Sequence, residues 1–332
     1  MLLNDWLLNS MKLLLLVIKS QTVVLDSLYD AIVENADCDI HRLSSSEQSN
    51  LERYFKRHIE LAKYDRIILF LRFKKESQQI DFVRTIPNLV ILEHDACQNY
   101  ISGRYQGAFS KYYQQLPWVR VLVSGAVITR RLQEEGIDAV FVPKGYDQRI
   151  LTNLNKSREV ELGFIGSLKS DAYTRRRAFL EQISEKENIR IQRTAPGYEY
   201  LQALNSIRFF ISADIGIDEY MIKNFEAMAC GCVLFAFNQG EEENNALGFK
   251  DMENIVLYNT IEDFHFKLAI LRKDSELADS IAKSGQRLAE QRYSFSAIGQ
   301  QIIRAIEPEL NQSIRFFPRQ SFGARFRRWL FG

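Results

Sequence analysis

Residues 207–237, IRFFISADIGIDEYMIKNFEAMACGCVLFAF, constrain the fold more than any other stretch of this chain. Two apolar runs rich in β-branched and aromatic residues, 207–213 and 232–237, flank a helical pattern, the layout of a β-α-β unit in a parallel sheet. Met221, Ile222, Phe225, Met228 and Ala229 recur at the spacing of one buried helix face, and Glu219, Lys223 and Glu226 fall on another. A solvated face joined by Glu219–Lys223 and Lys223–Glu226 ion pairs would account for the second stripe without any function. Gly231 stands where a helix-ending glycine belongs. In open parallel sheets, ligands bind beyond the carboxyl ends of the strands, where helix N-termini point. Residues 214–223 should therefore border a crevice, with Glu226 one turn further in.

The rest of the chain repeats this alternation. Strand patterns at 12–18, 39–43, 67–73, 89–92, 118–123 and 139–142 are separated by helical patterns at 23–33, 46–63, 82–85, 105–113 and 125–135. Such an order means right-handed crossovers and a doubly wound parallel sheet. A second series follows: a strand at 161–168 running into a helix from about Asp171, the central unit, a strand at 254–258, and helices at 261–272, 275–291 and 295–306. With 332 residues the chain exceeds what one hydrophobic core serves, so two domains are expected.

A net charge of +1 with 26% charged residues excludes a disordered chain and a globally basic nucleic-acid binder. The apolar run at 11–18 is too short to span a membrane and lacks the basic flank of a signal peptide, so it reads as the first buried strand, with Met1 or Met11 as the start. Cysteines 38, 97, 230 and 232 form no C-x-x-C and read as reduced thiols in a cytoplasm-like compartment.

The segment E-L-G-F-I-G-S-L at 161–168 turns from a strand into a glycine-containing loop. Backbone N–H groups and a helix N-terminus there would bear on an anion, and Lys169, Arg175, Arg176 and Arg177 add positive charge that suits a diphosphate. The G-x-G-x-x-G word of nicotinamide sites is absent. The run K-N-F-E-A-M-A-C-G-C-V-L at 223–234 resembles the donor-sugar motif of the group 1 glycosyltransferases of GT-B fold, in which an E-x7-E pair precedes A-M-A-x-G. Glu226 is the second acid; Asp218 fills the first position, and Glu219 beside it is the alternative. The string V-P-K-G-Y-D at 142–147 resembles the P-x-G-x-D word that closes the first domain of many such enzymes, and G-F-K-D-M-E-N-I-V-L-Y at 248–258 resembles the late part of the second. The F-I-G-S-L loop with its arginines is similar to that of the spore-maturation-type branch.

This resemblance covers residues 160–306 and implies two Rossmann-like, doubly wound α/β domains facing across a cleft. The divisions would be an acceptor-side domain at 1–147, a linker at 148–158, a donor domain at 159–294, a helix packing back across the cleft at 295–310 and a tail at 311–332. It implies transfer of a sugar from a nucleotide-diphosphate sugar to a glycan or lipid-linked acceptor in bacterial cell-surface polysaccharide or glycoconjugate synthesis. The donor site would comprise Gly166, Ser167, Lys169, Arg176, Asp218, Glu219, Tyr220, Lys223, Asn224 and Glu226. His94 and Asp95, at the carboxyl end of the fourth strand, are the candidate bases if the reaction inverts; if it retains, they position the acceptor.

No metal is expected, because Asp37-Cys38-Asp39 precedes a strand where a metal-binding D-x-D would be out of place; no cofactor beyond the nucleotide sugar and no nucleic-acid partner are expected either. A nucleotide-sugar epimerase and a non-catalytic glycan binder remain open alternatives. Residues 313–332 interleave Arg315, Arg319, Arg325, Arg327 and Arg328 with six aromatic rings and no acid, the composition of an anchor for an anionic membrane surface, with docking onto the first domain or a single-strand nucleic-acid grip as the other readings. The anchor would make the protein peripheral at the inner face of the membrane.

Overall fold

A computed structural model describes residues 11–169 and 174–310. The tail expected to meet a membrane, and the start of the helix expected from Asp171, lie outside the described residues. Eleven parallel strands form two sheets among them. The first takes β1 (Lys12–Ile18), β2 (Asp37–Leu43), β3 (Arg66–Phe70), β4 (Leu89–Glu93), β5 (Arg120–Val123) and β6 (Asp138–Phe141), in the order β2-β1-β3-β4-β5-β6. The second takes β7 (Val160–Ile165), β8 (Ile189–Gln192), β9 (Ile207–Ser212), β10 (Val233–Phe237) and β11 (Val256–Tyr258), in the order β11-β10-β9-β7-β8.

Strand β1 shows why the sequence reads as an unbroken apolar run. Leu13, Leu15 and Val17 enter one core and Leu14, Leu16 and Ile18 another, on opposite faces of the sheet. The first of these cores continues into the second half of the chain through Phe225, Met228, Tyr293, Ile298 and Ile302. The bridge is the helix Phe295–Ile306, which packs on the helix Thr22–Glu34. Their approach is close enough that a Cβ on Gly299 would stand 2.8 Å from Ala31. The V-P-K-G-Y-D segment meets the same helix: Tyr146 donates to Tyr293 O at 2.9 Å, Phe295 donates to Tyr146 O at 2.9 Å, and a Cβ on Gly145 would clash with Tyr293 O.

Several elements differ from the sequence pattern. The 67–73 strand stops at Phe70, because Phe73 leaves the sheet to stack on Phe109 at 3.8 Å and opens the short helix Phe73–Glu76. The 46–63 helix divides into Ser45–Gln48, Leu51–His58 and a 3-10 turn at Leu61–Lys63. Strand β8, the helix Tyr198–Ser206 and the helix Glu241–Leu247 were absent from the sequence pattern altogether. The central helix runs Ile222–Ala229, not from residue 219. It ends as Gly231 requires: that residue has φ +73°, its N–H donates to Met228 O at 2.9 Å, and Cys232 N–H donates to Ala227 O at 3.0 Å, the paired bonds of a Schellman cap.

Candidate active site

Parallel strands deliver their following loops to one edge, and four of them supply the site. Strand β7 leads to Gly166 and Ser167, β8 to Arg193 and Thr194, β9 to Asp214, and β4 to Asp95. Two hollows open there. One, of about 400 Å³, is lined by Gly166, Ser167, Arg193, Tyr200, Lys223 and Glu226, with Val24 reaching in from the first half. The other, of about 190 Å³, is lined by Asp95, Gln98, Ile101, Arg176, Asp214, Ile217 and Met221. Met221 lines one and Ile222 and Lys223 the other, so the N-terminus of the helix Ile222–Ala229 stands between them.

Glu226 is 7% exposed and accepts the Tyr200 hydroxyl on Oε2 at 2.5 Å. Burial raises its pKa, while the Lys223 charge and the Tyr200 hydrogen bond pull the other way. The Lys223 ammonium lies over the Tyr200 ring, 4.9 Å from its centre. Burial lowers the pKa of Lys223 against the opposing charge of Glu226. The three side chains form one assembly on the wall of the larger hollow. Tyr200 is a residue that sequence reasoning missed, because its helix has no strong apolar period.

Arg176 lines the smaller hollow and reaches the Ser167 loop that lines the larger one. Its guanidinium donates to Ser167 O at 3.3 Å and to Asp214, and lies 5.7 Å from the centre of the Phe164 ring. Asp214 also accepts from the Ser212 hydroxyl at 3.0 Å and the Asn224 amide at 3.1 Å. Asn224 is fully buried, so it acts behind Asp214 and does not line either hollow. Lys169 is exposed at the end of the Gly166 loop.

Three other residues expected to bind donor are committed elsewhere. The Asp218 carboxylate pairs with Arg131 of the first half at 3.0 Å, and the residue's left-handed backbone (φ +54°) turns it away from the helix. Glu219 is 1% exposed and accepts from the Ser124 hydroxyl and the Lys144 ammonium. No Glu219–Lys223 ion pair forms, since Glu219 precedes the helix and faces the first half. The Tyr220 hydroxyl donates to Asn244 at 2.6 Å, inside the core.

The two candidate bases also part. Asp95 lines the smaller hollow. The His94 ring packs edge-on against Phe70 at 4.9 Å, and burial, with the Lys144 charge beside it, pushes its pKa down to about 3. An imidazole that weakly basic is a poor proton acceptor at neutral pH. Among the described residues, no group of three or more His, Cys, Asp or Glu side chains is placed to hold a metal ion, and no helix is long and apolar enough to cross a membrane.

Two facing parallel sheets with a last helix returned onto the first half define the GT-B class of glycosyltransferase fold. Residues 146–304 match the family described as glycosyl transferase-like, and the fold of the chain is that of the GT-B glycosyltransferases. Solved structures agree in fold. A glycosyltransferase from Rickettsia africae ESF-5 aligns with a TM-score of 0.62 at 13% identity over 90% of this chain and 98% of that one. Anabaena Alr3699/HepE, solved in complex with UDP-glucose, aligns with a TM-score of 0.63 at 13% identity over 89% and 99%. S. aureus TarM aligns with a TM-score of 0.55 at 11% identity over 77% and 58%. No curated protein matches the sequence. The comparisons support the broad class and not the spore-maturation-type branch.

Proposed function

We propose that this chain transfers a sugar from a nucleotide-diphosphate sugar to a hydroxyl of a glycan or lipid-linked acceptor. The observation that carries this reading is the pair of hollows meeting at one helix N-terminus. The larger suits a nucleoside, with the outer face of Glu226 accepting ribose hydroxyls. The junction suits a diphosphate, where free helix N–H groups, Lys223, Arg176 and Lys169 oppose the charge that grows as the leaving group departs. The smaller suits the sugar, with Asp95 on the acceptor side as base if the reaction inverts. Because Asp214 already holds Arg176, the guanidinium is oriented before donor arrives and needs no reorganisation during transfer. That the Anabaena relative is solved with UDP-glucose supports the same class of donor.

Thermal denaturation with a panel of nucleoside diphosphates and their sugars tests the reading. A ligand at 100 times its dissociation constant adds about 2.7 kcal/mol of stability. A panel in which no nucleotide stabilises the protein would overturn the proposal. Product analysis with donor alone separates transfer from epimerisation, since an epimerase yields a second nucleotide sugar without acceptor.

A further inference from the structure

The smaller hollow has an uneven wall. Ile101 comes from the first half and Ile217 from the second; both are half-buried, both line the hollow, and neither joins any of the three hydrophobic cores of the described residues. Gly216 between Ile215 and Ile217 has φ +77°, and the Arg175 guanidinium sits where its Cβ would be, so the turn that presents these side chains is specific to glycine. Ala213 and Met221 extend the apolar wall.

The polar groups on that wall differ in availability. Asp214 is occupied by Arg176, Ser212 and Asn224. The side chains of Gln98 and Asp95 line the hollow and make no hydrogen bond within the described residues. A fully hydroxylated hexose would bring several hydroxyls against isoleucine and methionine, where each loses water without gaining a partner. A substituent carrying both an amide and a methyl fits better. Gln98 can donate and accept at once, matching an amide N–H and C=O, and the methyl would lie between Ile101 and Ile217.

We infer that the donor sugar is a 2-acetamidohexose, supplied as a nucleoside diphosphate ester, with uridine taken as the base because the Anabaena relative is solved with UDP-glucose. This rests on the nucleotide-sugar reading of the site and adds the sugar class to it. Ile101 and Ile217 line the hollow from the two halves of the chain, so the discrimination between donors needs no acceptor.

Isothermal titration of the full chain, in the absence of acceptor, tests the inference with UDP, UDP-glucose, UDP-N-acetylglucosamine and UDP-6-deoxyglucose. The acetamido sugar should bind roughly tenfold or more tighter than UDP-glucose, the range a matched apolar pocket gives for one small group. Ile217→Asn should bring that ratio down to about threefold or less, because a polar side chain then meets the methyl. Gln98→Leu gives the same reading from the opposite wall should the first variant lose UDP binding. A wild-type ratio below about threefold, or a ratio that survives both variants, overturns the inference. Tighter binding of the 6-deoxy sugar than of the acetamido sugar also overturns it, in favour of a plain methyl pocket. Binding of another nucleoside diphosphate but not UDP refutes the acetamido donor and leaves the nucleotide-sugar reading standing. If no nucleoside diphosphate binds, both fall.

Discussion

Glu219 and Glu226 stand seven residues apart in the same motif, and both are buried, yet they belong to opposite kinds of environment. Glu226 spends one oxygen on Tyr200 of its own half and lies on the wall of an open hollow. Glu219 faces the first half, where Ser124 and Lys144 occupy it and the Cys97 thiol lies beside it. Around Glu219 the crossing is dense. Glu243 accepts the N–H groups of Ala126 and Val127 at 2.7 and 3.2 Å, capping the helix Ala126–Glu134, and Arg130 is held by Glu242 at 2.9 Å. The difference teaches that burial alone does not mark a ligand-binding acid. What separates the two is whether a partner-bearing surface or an open space faces the carboxylate.

The largest effect should come from breaking the sealed pair. Lys144→Ala leaves Glu219 as an uncompensated charge in the interface, a loss of about 3 to 5 kcal/mol for a buried ion pair cut on one side. Urea unfolding should show a lower midpoint. Replacing both residues with apolar ones should recover most of that loss, since a buried pair is seldom worth more than good packing. A Lys144→Ala protein as stable as wild type would erase the distinction between the two glutamates.

Next in size is a pH effect in the same cluster. Burial, reinforced by the Glu219 charge, pushes Glu243 from 4.5 up to about 8, although the Ala126 and Val127 N–H groups pull it down. Between those values the unfolded chain has released this proton and the folded chain keeps it. This group's contribution to stability is therefore present below pH 4.5 and lost as pH rises through about 8, on the order of a few kcal/mol. Glu243→Gln fixes the neutral form. The stability difference between wild type and that variant should change steadily from pH 5 to pH 8, to the disadvantage of wild type; a constant difference would show that Glu243 is ionised throughout.

Glu226 should respond in binding and not in folding. Glu226→Ala removes a charge-assisted partner of the ribose and should weaken nucleoside diphosphate binding by roughly 1.5 to 3 kcal/mol. Titration calorimetry measures it, and Tyr200→Phe should reproduce a smaller part of the loss by freeing the carboxylate to turn. Should either change lower the unfolding midpoint as much as it lowers affinity, Glu226 would join Glu219 as a structural acid.

The contrast explains what was legible in the sequence. Apolar runs such as 12–18 and 207–213 announce parallel strands because both faces are covered, and Gly231 announces a helix end because the residue closing that helix takes a left-handed backbone. Strand β8 was hidden because it is an edge strand with Arg190 and Ile191 exposed, which erases the buried run. The helix Glu241–Leu247 was hidden by its composition: three successive glutamates look like a solvated loop, whereas Glu243 is buried. Glu226, Lys223 and the Gly166 loop, expected together from the sequence, line one hollow, because their neighbours in sequence are their neighbours in space. Glu219, Tyr220 and His94 are held by Lys144, Asn244 and Phe70, partners that lie far along the chain and that no local period reveals.

Asp218 carries the smallest and most discriminating prediction. It occupies the place of the first acid in the donor motif, but its carboxylate pairs with Arg131 in an ion pair that is 40% exposed on the acid side. Exposed pairs of this kind are worth about 0 to 1 kcal/mol, so Asp218→Ala should lower stability by no more than that from the pair alone. Its φ of +54° adds a second term. An alanine there keeps the left-handed strain of about 1 kcal/mol and loses the local hydrogen bonding that makes aspartate tolerable, while a glycine has no such strain. Asp218→Gly should therefore be at least as stable as Asp218→Ala, and both should turn over donor within a few-fold of wild type. A loss of turnover in both variants comparable to that of Glu226→Ala, with nucleoside diphosphate affinity intact, would show that Asp218 leaves Arg131 and reaches the sugar when donor binds. The comparison would then need a third kind of acid, one that exchanges a protein partner for a substrate hydroxyl.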